Sequence, residues 1–445
     1  MSHTLGRFTG LTLPTIVRGE GSYLIAADGT RYLDACGGAA VSCLGHHEPR
    51  VNRAIMEQLA KFEFASTVFF TSEAAERLAD DLVQDAPAGL TKVFFGSGGS
   101  EQIDGTLKLA RQYWLARDEP ERTRFISRRQ SFHGNTLGAL GVSGHVQRRA
   151  PYLPLIIDAE KIAPCYAYRG RAAAETEEAY GLRVADELED ALQRLGPKTV
   201  IGFIAETVVG ATLGGVAAVP GYFRRIREIC DRHGILLILD EVMSGMGRTG
   251  VRYACEREQV APDMLVMGKG LGAGFQPISA TLVAEHIHQA IAAAHPMVVH
   301  GHTYQAHPVA CAASLAVQQV IREDDLLANV RRQGALLGQR LASALGQHPN
   351  VGDIRGRGLL WGIEFVEDRA SQRPFPAARA VGWNVSRAGL NHGVLLYPGS
   401  GTVDGSLGDH IFLAPPYNVT EADIEIMVAG VVASVHATLG RRTQQ

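Results

Sequence analysis

The stretch Asp263-Met-Leu-Val-Met-Gly-Lys-Gly-Leu-Gly-Ala-Gly274 sets one lysine, Lys269, among glycines directly after a short apolar run. Upstream, Gly234-Ile-Leu-Leu-Ile-Leu-Asp240 reads as a second apolar run that ends on an acid and opens Asp-Glu-Val. Continuous apolar runs of this length, bounded by glycine, are the pattern of strands covered on both faces. Thr199-Val-Ile-Gly-Phe-Ile-Ala-Glu206 reads as a third, and Pro220 to His233 as a helix with Phe223, Ile226 and Cys230 on one face and Gly234 as its stop. Strand, helix, strand is a βαβ crossover. The fold expected is α/β, with a large domain whose mainly parallel sheet is covered by helices.

Working outward, Lys92-Val-Phe-Phe95 leads through Gly96-Ser-Gly-Gly-Ser100 into a helix with Ile103, Leu107, Ala110 and Trp114 at helical spacing. A glycine loop between strand and helix start offers free backbone N–H groups and a positive dipole end, which is how proteins hold phosphate. The alternative is a plain turn, since the loop is neither G-x-G-x-x-G nor a Walker sequence. After about residue 330 the texture changes to Gly356-Arg-Gly358, the apolar segment Leu359-Leu-Trp-Gly-Ile-Glu-Phe365, a helical stretch and the turn-rich Tyr397 to Asp409. Tyr23 to Leu33 reads as a hairpin turning at Asp28-Gly29. These point to a smaller α+β domain formed by the N- and C-terminal segments: residues 1–59 and 331–445, around a large cofactor-binding domain at 60–330.

Composition narrows the class of function. At 445 residues, with 46% apolar and 20% charged residues, the chain has the profile of a globular protein of more than one domain. A formal net charge of −3 argues against nucleic-acid or anionic-membrane partners, which need concentrated positive charge. The cysteines (Cys36, Cys43, Cys165, Cys230, Cys255 and Cys311) are scattered without C-x-x-C spacing, fit unpaired core thiols, and suggest no metal site. No signal-peptide pattern is read at the start and no apolar run approaches the length of a membrane span, so a cytoplasmic location is expected.

Lys269, Asp240 and the glycine loop together suggest pyridoxal 5'-phosphate. That cofactor needs a lysine to carry it as a Schiff base, an acid beside its pyridine nitrogen, a phosphate cup and flat apolar walls. Asp240 suits the acid because the carboxyl end of a strand opens onto the ligand crevice of a parallel sheet, although a turn or N-cap aspartate would read the same alone. Lys269 by itself would be a solvated lysine. Once the cofactor has passed to the substrate, its free amine can act as the base that moves the substrate proton.

From about Gly19 to about Gly430 the chain resembles the class III, or ornithine/omega-amino-acid, aminotransferases of the fold-type I pyridoxal phosphate enzymes. The resemblance is carried by Leu237-Ile-Leu-Asp-Glu-Val-Met-Ser-Gly-Met-Gly-Arg-Thr-Gly250 followed by Pro262 to Gly274. It implies that Lys269 carries the cofactor, that Asp240 pairs with the pyridinium, and that Gly98, Gly99 and Ser100 hold phosphate. In Ser131-Phe-His-Gly-Asn-Thr136 it implies cofactor contacts from Phe132, His133 and Gly134, with Phe132 stacked on the ring where many relatives carry tyrosine, and Val242 covering the other face. Glu206 matches the glutamate of a Glu-Pro motif whose proline is here Thr207; alternatively it is a strand-end carboxylate paired to a nearby base. In Gly301-His-Thr-Tyr-Gln-Ala-His-Pro308, Thr303 takes the place of a threonine that reaches the phosphate of a neighbouring subunit, which implies a homodimer with its sites at the interface.

Three departures concern the substrate. Members that bind 2-oxoglutarate or ornithine commonly carry an arginine before the Pro-Pro and a gating glutamate after the Glu-Pro; here those places hold Phe412 and Ala211. Losing both together is coherent, because a carboxylate left without its partner is costly. A further arginine of ornithine-type enzymes is here Asn135. The function expected is transfer of an amino group from an amine or omega-amino acid to a 2-oxo acid, with pyruvate favoured over 2-oxoglutarate, through pyridoxamine phosphate. The rivals are an aminomutase, racemase or decarboxylase on the same cofactor and, more remotely, a dinucleotide-dependent oxidoreductase, which Glu101 at the third glycine position of the fingerprint disfavours.

Overall fold

Val200–Glu206, Leu236–Asp240, Met264–Met267 and Ser279–Ala284 are strands buried at every residue, which is why the sequence shows unbroken apolar runs rather than alternation. In this computed structural model, which describes residues 3–440, they form the centre of a seven-stranded sheet. Its order from edge to edge is Leu90–Gly96, Ser279–Ala284, Met264–Met267, Leu236–Asp240, Val200–Glu206, Arg124–Arg128 and Glu160–Ile162. Ser279–Ala284 runs antiparallel to both neighbours, and the pairings from Met264–Met267 to the far edge are parallel. The sheet is therefore mixed and mainly parallel, as the apolar runs suggest.

The crossover helix runs Tyr222–His233, with Phe223, Ile226 and Cys230 buried. It starts two residues later than Pro220 because Gly221 turns through φ +88°, and it stops at Gly234, which is left-handed at φ +60°. The helix after the glycine loop runs Gly99–Ala116 with Gly98 as N-cap.

The C-terminal segments form a four-stranded antiparallel sheet in the order Val351–Arg357, Leu360–Phe365, Asp409–Leu413, Tyr397–Ser400. The region 397–409, turn-rich by sequence, thus begins with a strand: Tyr397–Ser400 pairs with Asp409–Leu413, and the turns occupy the segment between them. At the N-terminus, Tyr23–Ala26 and Arg31–Leu33 pair around the Asp28-Gly29 turn, with Ile16–Glu20 added as a third strand. The Leu33 N–H donates to Gly393 O at 2.8 Å and the Leu395 N–H to Leu33 O at 3.0 Å, joining the two ends of the chain.

One hydrophobic core surrounds the large sheet. A second gathers Leu33, Leu44, Val330, Leu337, Ile363, Ile411, Met427 and Val431. Helix Pro308–Glu323 supplies Ala310 and Cys311 to the first and Val317 and Val320 to the second, so it staples the two together. Helix Glu421–Leu439 is apolar and long enough to cross a membrane by length and composition, but Ile424, Met427, Val431 and Val435 are buried in the second core.

Leu237, fully buried at the centre of the large sheet, tests this packing. Leu237→Ala is expected to destabilise the protein by about 2–5 kcal/mol, read as a lower apparent melting temperature. The same change at Leu390, which is 40% exposed, should stay within about 0.5 kcal/mol.

Candidate active site

Register brings the first groups together. Asp240 lies opposite Glu206 across one strand pair and opposite Val266 across the next, so Glu206, Asp240 and Lys269 emerge side by side at the carboxyl edge of the sheet. This is the crevice side of an open parallel sheet. The two outer walls come from the loop after Arg124–Arg128, which carries Phe132, His133 and Gly134, and from the start of helix Gly99–Ala116. A single pocket is lined by Gly99, Ser100, Phe132, His133, Gly134, Glu206, Val208, Ala211, Asp240, Val242, Met243 and Lys269.

Asp240 is 5% exposed, and both of its oxygens are engaged. His133 Nδ1–H donates to Oδ2 at 2.7 Å, and the Val242 N–H donates to Oδ1 at 2.9 Å. His133 is held in turn by its own N–H, which donates to Ser143 Oγ at 2.8 Å, while its buried Nε2 has no partner among the described residues. Glu206 accepts from the Phe132 N–H at 2.9 Å and the Gly210 N–H at 3.0 Å. Burial raises the Glu206 carboxyl above the ordinary glutamate range, with Asp240 adding to the rise and His133 and the two backbone N–H groups opposing it.

Lys269 has a left-handed backbone, φ +40°, a conformation costing roughly 1–3 kcal/mol away from glycine. Desolvation lowers its amine below the ordinary lysine value, against the upward pull of Asp240 and Glu206. A lysine in this setting is closer to the neutral, nucleophilic form than one in water.

The pocket fits pyridoxal phosphate on three counts. Helix Gly99–Ala116 starts without a side-chain cap, so its first N–H groups are free to hold an anion. A Cβ on Gly99 would stand 2.9 Å from Val242 Cγ1, and one on Gly134, whose φ is +140°, would stand 2.6 Å from Ser100 Oγ. Glycine at both places keeps the cleft between Ser100, Val242 and the Phe132 loop open. A buried carboxylate and a half-buried aromatic, Asp240 and Phe132, then face the same space as Lys269.

Two anticipated residues lie outside this pocket. Gly98 is the N-cap, its carbonyl accepting from Ser279 Oγ at 3.2 Å. Thr303 is exposed in a turn, beside Tyr304 and Phe64, whose rings are 6.0 Å apart. Other groups at the site escape a reading of the sequence. Glu241 accepts from Thr207 Oγ1 at 3.0 Å and from the N–H groups of Ala254 and Cys255 at 2.7 Å each, and burial pushes its carboxyl up to about 7. Thr207, standing where proline is usual, therefore has its own structural use. Val208 and Met243 add an apolar wall next to Ala211, and Phe412, fully buried and stacked on Tyr397 at 4.5 Å, packs behind them. This surface is hydrocarbon.

Comparison with known proteins gives a consistent picture. A family model described as aminotransferase class-III matches residues 9–435. An uncharacterized aminotransferase of Schizosaccharomyces pombe is 44% identical over 427 residues, covering 96% of this chain and 93% of the relative. An adenosylmethionine-8-amino-7-oxononanoate aminotransferase of Geobacter sulfurreducens is 34% identical, covering 96% and 92%. Among solved structures, an (S)-enantioselective omega-transaminase from Thermomicrobium roseum superposes with a TM-score of 0.92 at 33% identity, covering 98% and 97%. The omega transaminase of Pseudomonas jessenii in complex with PMP gives 0.92 at 30% identity, covering 98% and 96%.

The electrostatics of Lys269 make a signed prediction. In cofactor-free protein its amine should react with an amine-directed label at lower pH than surface lysines do, as followed by mass spectrometry. Asp240→Asn removes a charge that raises the Lys269 pKa, so the labelling midpoint should move further down in pH; an upward move contradicts the assignment.

Proposed function

The chain belongs to the class III aminotransferases, and we propose that it moves an amino group from an amine or omega-amino acid to a 2-oxo acid, pyruvate in preference to 2-oxoglutarate, using pyridoxal 5'-phosphate. The observation that carries this reading is the placement of Glu206, Asp240 and Lys269 side by side at strand ends, facing the uncapped start of helix Gly99–Ala116. Bound there, the cofactor would supply an electron sink for breaking a Cα–H bond.

The residues divide the work. Backbone N–H groups of Gly99 and Ser100, with the Ser100 hydroxyl, would hold the phosphate; Phe132 and Val242 would flank the ring, and Gly134 would leave it room. Asp240, its two oxygens held by His133 and the Val242 N–H, would keep the ring nitrogen protonated. Lys269 would anchor the cofactor and, with its Nζ free, would take the proton from the donor's Cα and later return it. Its depressed pKa supports that role, because a base must be unprotonated to act. Glu206 fixes the Phe132 backbone and so the wall of the pocket.

The apolar surface of Val208, Ala211 and Met243, backed by Phe412, supports pyruvate, since the second carboxylate of 2-oxoglutarate finds no cation there. The working unit is a homodimer in which Thr303 reaches the phosphate held by the other protomer. Its exposed place beside the solvent-facing rings of Phe64 and Tyr304 supports this, because such a cluster marks a contact surface. The six cysteines are free and buried, which supports a reducing, cytoplasmic setting.

Lys269→Ala should fold, lose the yellow absorbance of lysine-bound cofactor and lose turnover; retained turnover overturns the reading. Asp240→Asn should bind cofactor yet lower turnover by orders of magnitude, equivalent to several kcal/mol of barrier at about 1.4 kcal/mol per tenfold. A donor panel with pyruvate and with 2-oxoglutarate should give a free carbonyl product and an aminated acceptor, faster with pyruvate. Product formed with no 2-oxo acid and with the cofactor never aminated would indicate an aminomutase, racemase or decarboxylase.

A further inference from the structure

With the ion gate replaced by hydrocarbon and the ornithine-type arginine replaced by Asn135, the pocket lacks the usual cations for a substrate carboxylate. The short helix Val146–Arg149 places an arginine, Arg148, next to a residue that lines the pocket. The Arg148 guanidinium carbon lies 4.7 Å from the centre of the Phe132 ring, which lines the pocket. Its Nη1 donates to Asn135 Oδ1 at 3.3 Å, a long bond to a neutral acceptor. No ion pair involves Arg148 among the described residues, whereas the adjacent Arg149 is consumed by Asp158 at 2.6 Å and the Leu140 carbonyl at 3.1 Å.

The other arginines near the site are taken up by the fold. Arg128 donates to the Glu206 carbonyl, Arg248 to the carbonyls of Leu359 and Pro415, and Arg355 is paired with Asp353 and Glu364. Arg148 has donors to spare and a half-buried position. The field of Arg148 reaches the reacting end of the pocket, since it is among the charges that lower the Lys269 amine. His145, one turn away with its ring edge-on to Phe132 at 6.1 Å, is held down to about 4 by burial and by Arg148, so it is neutral near pH 7 and adds no competing charge.

The helix is also held in place. Gly405, in the turn joining strands Tyr397–Ser400 and Asp409–Leu413, abuts Val146 so closely that a Cβ there would stand 2.5 Å from Val146 Cγ2. Gln130 Nε2 donates to the carbonyls of Gly401 and Thr402 at 2.9 Å each, tying the same turn to the segment before Phe132. Arg148 is thus presented by a braced element rather than a loose loop.

We propose that Arg148 binds the carboxylate of the substrate, receiving it in place of Asn135 and fixing the selectivity of the pocket for monocarboxylates such as an omega-amino acid or pyruvate. This rests on the aminotransferase reading. A guanidinium placed 4.7 Å from the centre of an aromatic wall, with one long bond to a neutral acceptor, retains donors for a two-point bond to a carboxylate, a geometry a lysine cannot copy.

The test uses the cofactor-loaded protein and the variants Arg148→Met and Arg148→Lys, with melting temperatures confirming that both fold. Calorimetric binding of propionate and pyruvate should weaken about 10- to 100-fold in Arg148→Met, with Arg148→Lys intermediate. In the donor half-reaction, KM for 4-aminobutyrate should rise by a similar factor while the values for butylamine stay within about twofold. Unchanged carboxylate binding, an equal loss for both donors, or no binding of either acid by the unaltered protein overturns the proposal. If no donor leaves the cofactor aminated, the transfer reaction is wrong, and the binding arm alone still decides whether Arg148 is a carboxylate site.

Discussion

A carboxylate cannot stand bare at the end of a strand buried on both faces, and the region around Asp240 is organised by that constraint. Its two oxygens are met by His133 Nδ1 and the Val242 N–H, and each partner brings its own segment with it. His133 fixes the loop that carries Phe132 and Gly134; Val242 fixes the chain that turns away from the strand and forms the opposite wall. Glu206, one strand over, adds a hold on the Phe132 backbone. One desolvated acid thereby sets the separation of the two pocket faces. Charged residues buried this way are retained where their chemistry is needed, since an apolar pair would pack at less cost.

The legible part of the sequence is the part in which one residue type signals one physical need. Continuous apolar runs ending on Glu206 and Asp240 announce buried strands and their carboxyl ends, and Gly234 announces a left-handed helix stop. Lys269 among glycines marks a lysine on a turn that must approach other groups closely. The unread part depends on distance in space. Nothing in the spacing of Glu241, Thr207 and Ala254 shows that they meet in one buried hydrogen-bonded cluster, and Arg148 in Gln-Arg-Arg looks like its neighbour Arg149. The strand Tyr397–Ser400 was hidden because its proline and glycine read as turn; as an edge strand paired on one side, it tolerates them. The antiparallel Ser279–Ala284 was hidden too, because direction leaves no trace in composition.

The pocket joins two kinds of wall. Toward Val208, Ala211, Met243 and Phe412 it is hydrocarbon, and its Phe132 wall is an aromatic ring with the Arg148 guanidinium carbon 4.7 Å from the ring centre. A surface divided this way sorts ligands by where they carry charge as well as by size, because a polar group turned to the apolar side loses its water without compensation. The helix bearing Arg148 leans on a turn from the C-terminal sheet, so the selectivity proposed for a site built in the large core would depend on how the second core is seated.

Strand Leu90–Gly96 lies at the sheet edge and is bonded only to Ser279–Ala284. The chain must therefore be synthesised through residue 284 before that early strand can find its place, and the start of helix Gly99–Ala116 is positioned by the strand's end. Long-range pairing of this kind is slow, and the waiting strand presents an unpaired edge meanwhile. The Gly99–Ser100 end of the pocket consequently waits for Ser279–Ala284, although its residues emerge far earlier in the chain. The segment that carries Lys269 is therefore already in the chain when this end of the pocket takes its place.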